Sequence, residues 1–191
     1  MGRLRSVDYD LQRGAIIDCA AAVFAQQGFS ATSISDIAAA CNCSRSRLYH
    51  YFVSKEALLY ETLQTHVDLL LARCADLSLQ GRSGEEQLGC AIAMFLEVYA
   101  VSRDRHVVML TCLDALPLAQ RRKIVAKQRQ LIEFVTAILV RIHPVGQSVK
   151  LDVMLLFGMM NWTHTWYNPD GPALPKDVAA RIVQLFLHGY A

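Results

Sequence analysis

No run in this 191-residue chain reaches the roughly 18 apolar residues that a bilayer span requires; even DVMLLFGMMNWTHTWY is interrupted by Asn161 and His164. No membrane partner is expected. The opening residues, MGRLRSVDYD, are charged and lack the apolar segment of a secretory signal. The six cysteines, at 19, 41, 43, 74, 90 and 112, do not form a disulfide framework, so reduced thiols in a cytoplasmic setting are expected. Gly-rich phosphate loops, zinc-binding His pairs and triad signatures are also missing. Asp114 and His164 offer an acid and a base, but nothing in the sequence brings them together. The chain therefore reads as a non-enzyme with neither cofactor nor metal. A net charge of +2 does not announce nucleic acid either. The whole excess lies in residues 1–55, where Arg3, Arg5, Arg13, Arg45, Arg47 and Lys55 face Asp8, Asp10, Asp18 and Asp36.

What is present is helical periodicity almost everywhere, with no convincing alternation of strand type. At 53% hydrophobic, the chain can bury a sizeable core without staples. The expected fold is all-α with about nine helices. Ile16, Ile17, Ala20, Val23 and Phe24 form the apolar stripe of a first helix, over 9–27, that Gly28 stops. In TSISD, Ser33 caps a short second helix ending at Cys41, and Asp36 places its charge at the positive end. Ser44 caps a third through Tyr51, and Ser54 opens a long fourth reaching 79. Further helices are expected over 85–102, 105–115, 118–142, 148–167 and 175–188, the last opened by Pro175 and closed by Gly189.

The stretch IAAACNCSRSRLYHYF decides the function. CNCS needs a tight turn between two short helices, and Asn42 is among the few non-glycine residues that tolerate positive φ. Cys43 then takes the place of a small apolar side chain between the helices, and Ala38 lets them approach. Two further metal ligands at suitable spacing are missing, so Cys41 and Cys43 read as structural, with thiol chemistry as the alternative. The pattern is a helix-turn-helix. Its second helix leaves Arg45, Ser46 and His50 together, flanked by Arg47 and Tyr49. Arginine reads guanine bidentately, whereas Ser, Tyr, His and Lys more often hold phosphates.

These residues carry a resemblance. GFSATSISDIAAACNCSRSRLYHYFVSKEALL is similar to the DNA-binding signature of the TetR family of bacterial transcriptional repressors, with caps, turn, Leu-Tyr-x-Tyr-Phe and Ser-Lys-Glu in order over about 10–62. The resemblance implies a three-helix DNA-binding head over 1–54 and a helical body over 55–191. That body would bind a ligand and form a homodimer through the last two helices, so that the pair reads a palindromic duplex operator. It also implies that Thr32 and Ser33 lie near phosphate, that Ser44, Arg45, Ser46 and Arg47 begin the base-reading helix, that Tyr49 and His50 meet the DNA backbone, and that Lys55 meets phosphate. Asn42 and Cys43 depart from the Gly and Val common in the family, and the second departure leaves room for a redox input.

The body reads less sharply. Met109, Met154, Phe157 and Trp166 are candidate neighbours of a hydrophobic ligand, although such apolar residues also build ordinary cores. Trp162 and Trp166 share a helical face and suit a pocket or a dimer seam equally. The end, with Trp-Tyr-x-Pro-x-Gly-Pro before the last helix, resembles a narrower branch of TetR-like regulators of fatty-acid, phenylacetate and sterol breakdown. That implies an acyl-coenzyme A effector. In QRRKIVAKQR, Arg121, Arg122 and Lys123, followed by Lys127 and Arg129, offer cations for its phosphates, or simply a solvated face. The expectation is a repressor released by such a thioester; a drug-responsive efflux repressor, a thiol sensor and a ligand-binding protein without DNA activity are the alternatives.

Overall fold

The computed structural model describes residues 7–142 and 149–189. Arg3, Arg5 and the expected helix start at 148 lie outside the described residues. Nine α-helices are described: α1 (Val7–Gln27), α2 (Ile34–Ala40), α3 (Arg45–Tyr51), α4 (Lys55–Asp76), α5 (Gly84–Val101), α6 (Arg103–Thr111), α7 (Leu118–Ile142), α8 (Val149–Trp166) and α9 (Pro175–His188). A single 3-10 turn, Leu113–Ala115, precedes α7, and no strand occurs among the described residues. The all-α expectation therefore holds.

Local chemistry explains the boundaries. Ser33 accepts from the Asp36 amide while the Asp36 carboxylate accepts from the Ser33 amide at 2.7 Å, a complete capping box. Those Ser33 bonds, side chain first and then backbone, hold the Asp36 carboxyl below its usual range. Ser44 accepts from the Arg47 amide to cap α3, and Asn42 has φ +50 as the turn requires. Helix α6 ends at Thr111, short of the expected 115. Pro117 bars Leu116 from helical geometry, and Leu116 is extended with ψ 144, so the chain tightens into the 3-10 turn instead.

Two compact units result, Met1–Val67 with Asp104–Val125 and Asp68–Arg103 with Ala126–Ala191. In the first, α1 packs on α2 and α2 on α3 around Ile17, Phe24, Ile37 and Leu48. Helices α4 and α6 meet there through fully buried His66 and His106, whose Nε2 and Nδ1 lie 3.3 Å apart. Burial, helped by the Arg105 cation, pushes His66 down to about 4, so its ring is neutral at physiological pH. In the second unit, α5 is apolar on most of its surface and packs against α8 and α9, with Phe95 meeting Phe157 edge-on at 5.6 Å.

Candidate nucleic-acid interface

Helix α3 has seven residues, too few to persist alone, so its position depends on what anchors it. Leu48 is its buried residue, inserted beneath the helix. On the side facing α1, Gln12 Oε1 accepts from both the Arg47 guanidinium and the Tyr51 hydroxyl, each at 2.7 Å. Tyr9 lies 4.8 Å from the Tyr51 ring and edge-on to His50. Sequence reading did not single out Gln12 or Tyr9. The signal was faint: both stand on α1, more than thirty residues from their partners.

The solvent side of α3 carries Arg45, Ser46, Tyr49 and His50, all exposed, with Ser44 at the cap. Arg45 is thus an exposed cation in the first turn, whereas Arg47 is tethered to α1. The other named residues sit differently. Thr32 is buried, and its hydroxyl donates to the Gly28 carbonyl at 2.7 Å, while Ser33 is exposed. Lys55 is half-buried; its ammonium donates to the Phe29 and Thr32 carbonyls at 2.8 and 2.7 Å and lies 4.1 Å from the Phe29 ring centroid. These bonds tie the loop before α2 to the first turn of α4. The face can therefore meet a duplex through a short helix about 10 Å long whose exposed end is polar and basic.

A consequence is measurable. Arg45→Ala should relax preference at one base position, because a bidentate base contact is worth about 1–3 kcal/mol of discrimination. Tyr49→Ala should weaken binding to all duplexes alike. Competition binding against single-base operator variants checks both, and equal selectivity of Arg45→Ala and the parent would remove the base-reading role.

The body residues are divided between the two units. Met109 is buried on α6 in the first unit, and Phe157 is half-buried against Phe95 in the second. Met154 and Trp166 are 50% and 57% exposed on α8. Trp162, Trp166 and Met159 line an open apolar groove of about 460 Å³ with Val178, Ile182 and Leu185 of α9. Arg121 pairs with Asp114 at 2.7 Å; Arg122 and Lys123 are exposed and make no ion pair among the described residues. Lys127 pairs with Asp68. Asp114 is thus engaged with a cation, and His164 bonds the Asn161 carbonyl. Among the described residues, no three His, Cys, Asp or Glu side chains are grouped to hold a metal ion, and no helix is long and apolar enough to cross a membrane.

Comparison with known proteins agrees with this geometry. Residues 16–62 match the family of bacterial regulatory proteins of the tetR type, and residues 81–190 match the tetracyclin repressor-like C-terminal domain. A TetR-family transcriptional regulator from Bordetella parapertussis is 54% identical, with 93% of this chain and 95% of that one covered and a TM-score of 0.89. The HTH-type transcriptional repressor KstR2 of Mycobacterium tuberculosis is 27% identical over 187 residues, covering 93% of this chain and 92% of KstR2. AibR, solved with isovaleryl coenzyme A and operator DNA, superposes with a TM-score of 0.76 at 22% identity, over 91% of this chain and 97% of that one, a likeness of fold.

Proposed function

We propose, since the chain belongs to the TetR family of bacterial regulators, that this ligand-responsive DNA-binding protein is a homodimeric repressor released from a palindromic operator by an acyl-coenzyme A thioester. Residues 1–54 are the DNA-binding part and 55–191 the effector-binding and dimer-forming part. The observation that carries the effector reading is the cationic start of α7, where Arg122 and Lys123 are exposed beside Arg121 and make no ion pair among the described residues. A nucleotide-bearing ligand demands such groups, because phosphates leave water only where cations and donors meet them. Its acyl chain demands apolar side chains, of which Met109 lies in the same unit as Arg122 and Lys123. AibR, solved in complex with isovaleryl coenzyme A, supports this class of ligand.

Dimer formation is proposed through α8 and α9, whose exposed apolar side chains include Trp162 and Trp166; these two tryptophans then belong to the seam and not to the effector. Control of DNA is assigned to α4, since Lys55–Val67 belongs to one unit and Asp68–Asp76 to the other. A ligand that favours one course of α4 over another changes the spacing of the two recognition helices, which adjacent major grooves require to be about 34 Å.

The test is release of a pre-formed protein–operator complex at fixed salt, titrated with an acyl-coenzyme A and with its free acid. The thioester should act at a concentration at least about tenfold lower, as expected of charge-assisted bonds to phosphate. Replacing Arg121, Arg122 and Lys123 together by Ala should narrow that gap. Equal potency, or release by cationic hydrophobic drugs alone, would remove the thioester while leaving the regulator in place.

A further inference from the structure

We infer that Cys19 and Cys41 are a redox pair beside the recognition helix, closed to a disulfide by a hydroperoxide that enters the cavity both residues line. The two residues are 22 positions apart in sequence, Cys19 within α1 and Cys41 at the C-terminal cap of α2. An open cavity of about 300 Å³ brings them together with Cys43, and Gln12 and Arg47 supply its polar rim. All three cysteines are half-buried, within reach of a small oxidant, whereas Cys74 and Cys112 are buried. Both neighbours act on the Cys41 thiol, Cys19 more strongly than Cys43. A packing role would be met by alanine or valine; it does not call for three thiols around one open cavity.

The order of events follows from the protons. Burial, then the neighbouring Cys19, pushes the Cys41 thiol up, so the first attack on the peroxide is assigned to Cys19. The Cys19 sulfur attacks the terminal peroxide oxygen as its thiol proton leaves, and the O–O bond breaks. The leaving alkoxide takes up a proton to become an alcohol, or water when the oxidant is hydrogen peroxide, and Cys19 becomes a sulfenic acid. The Cys41 sulfur then attacks the Cys19 sulfur, the S–O bond breaks, and the departing hydroxide leaves as water with the Cys41 proton. Two thiols lose two electrons and two hydrogens in all; the hydroperoxide gains them as alcohol and water.

Closure has a mechanical consequence, which rests on reading α3 as the DNA-contacting helix. A disulfide fixes the two sulfurs about 2.05 Å apart. Cys41 lies directly before the Asn42 turn and three residues before the Ser44 cap, so the pull is transmitted to the start of α3. Cys19 stands seven residues from Gln12 on the same face of α1, the face that holds Arg47 and Tyr51. The docking of α3 on α1 is therefore reset by the bond.

The experiment treats the reduced full-length protein with one equivalent of cumene hydroperoxide, blocks remaining thiols under denaturing conditions and maps peptides by mass spectrometry. The expected products are a Cys19–Cys41 crosslink within one chain and a fall in titratable thiols from six to four. Cys43→Val should still close, and neither Cys19→Ala nor Cys41→Ala should. On a duplex selected from a random pool by the reduced protein, oxidation should lower affinity at least about tenfold in the parent and not in Cys19→Ala, with recovery on adding dithiothreitol. Recovery of Cys19 and Cys41 as blocked thiols, or crosslinks only between chains, would overturn the pair; a closed pair with unchanged affinity would overturn its link to DNA. If the reduced protein selects no duplex, the DNA reading fails, and the peptide map still decides the pair.

Discussion

Replacing Trp162 and Trp166 together by Asp should yield a folded monomer that no longer holds a palindromic operator. Both rings are largely in solvent, at 65% and 57% exposure, so their loss opens no cavity and the secondary structure should be kept. They do not stand alone. Leu151, Leu155, Trp162 and Trp166 recur at spacings of four, seven and four along α8, all more than half exposed, and Met154 adjoins them. Large clusters of this kind are rare on monomeric proteins and mark sites of association. Tryptophans at the centre of an interface commonly contribute about 2 kcal/mol or more each, so losing both should raise the dimer dissociation constant by about a thousandfold. A buried aspartate facing its own symmetry mate adds repulsion. Sedimentation equilibrium reads the assembly state, and a gel shift on full-site and half-site duplexes reads the consequence: the monomer should bind both equally and weakly. A variant that stays dimeric would place the seam elsewhere.

Much of this fold was legible because its boundaries are set by local chemistry. Pro175 and Gly189 bracket α9 at the expected residues, α7 spans 118–142 as expected, and Ser33, Ser44 and Asn42 act where their side chains predicted. Each of those signals is carried by one to four neighbouring residues. The parts that escaped are contacts between distant segments. Gln12 with Arg47 and His66 with His106 join residues 35 and 40 positions apart, and periodicity within a helix states which side chains share a face without stating what that face meets. The Lys55 ammonium illustrates the limit: the sequence offers a cation at a helix start, and only the fold reveals the two carbonyls it bridges. The same holds for the tryptophans, where spacing identified a common face and the packing of α5, α8 and α9 left that face outside the core.

Truncating Leu48 to Ala should have the second large effect, because α3 depends on this one side chain for its hydrophobic attachment. Leu48 is 2% exposed and is the buried residue of a helix whose other members point to solvent or to its edges. Leucine-to-alanine changes in cores destabilise by about 2–5 kcal/mol, the larger values arising where neighbours do not collapse into the space. Here the loss falls on a helix that cannot persist alone, so the expected outcome is local: α3 detaches while α4 to α9 stay folded. The polar tethers do not compensate. The bonds from Arg47 and Tyr51 to Gln12 are at least partly open to water, and each is worth on the order of 1 kcal/mol. Operator affinity should therefore fall further than in Arg45→Ala, which removes one contact from an intact helix. Amide hydrogen exchange gives the decisive reading: in Leu48→Ala the amides of residues 45–51 should lose protection while those of α5 keep theirs. Protection unchanged in α3, with affinity retained, would show that Gln12 and Tyr9 alone suffice to dock the recognition helix.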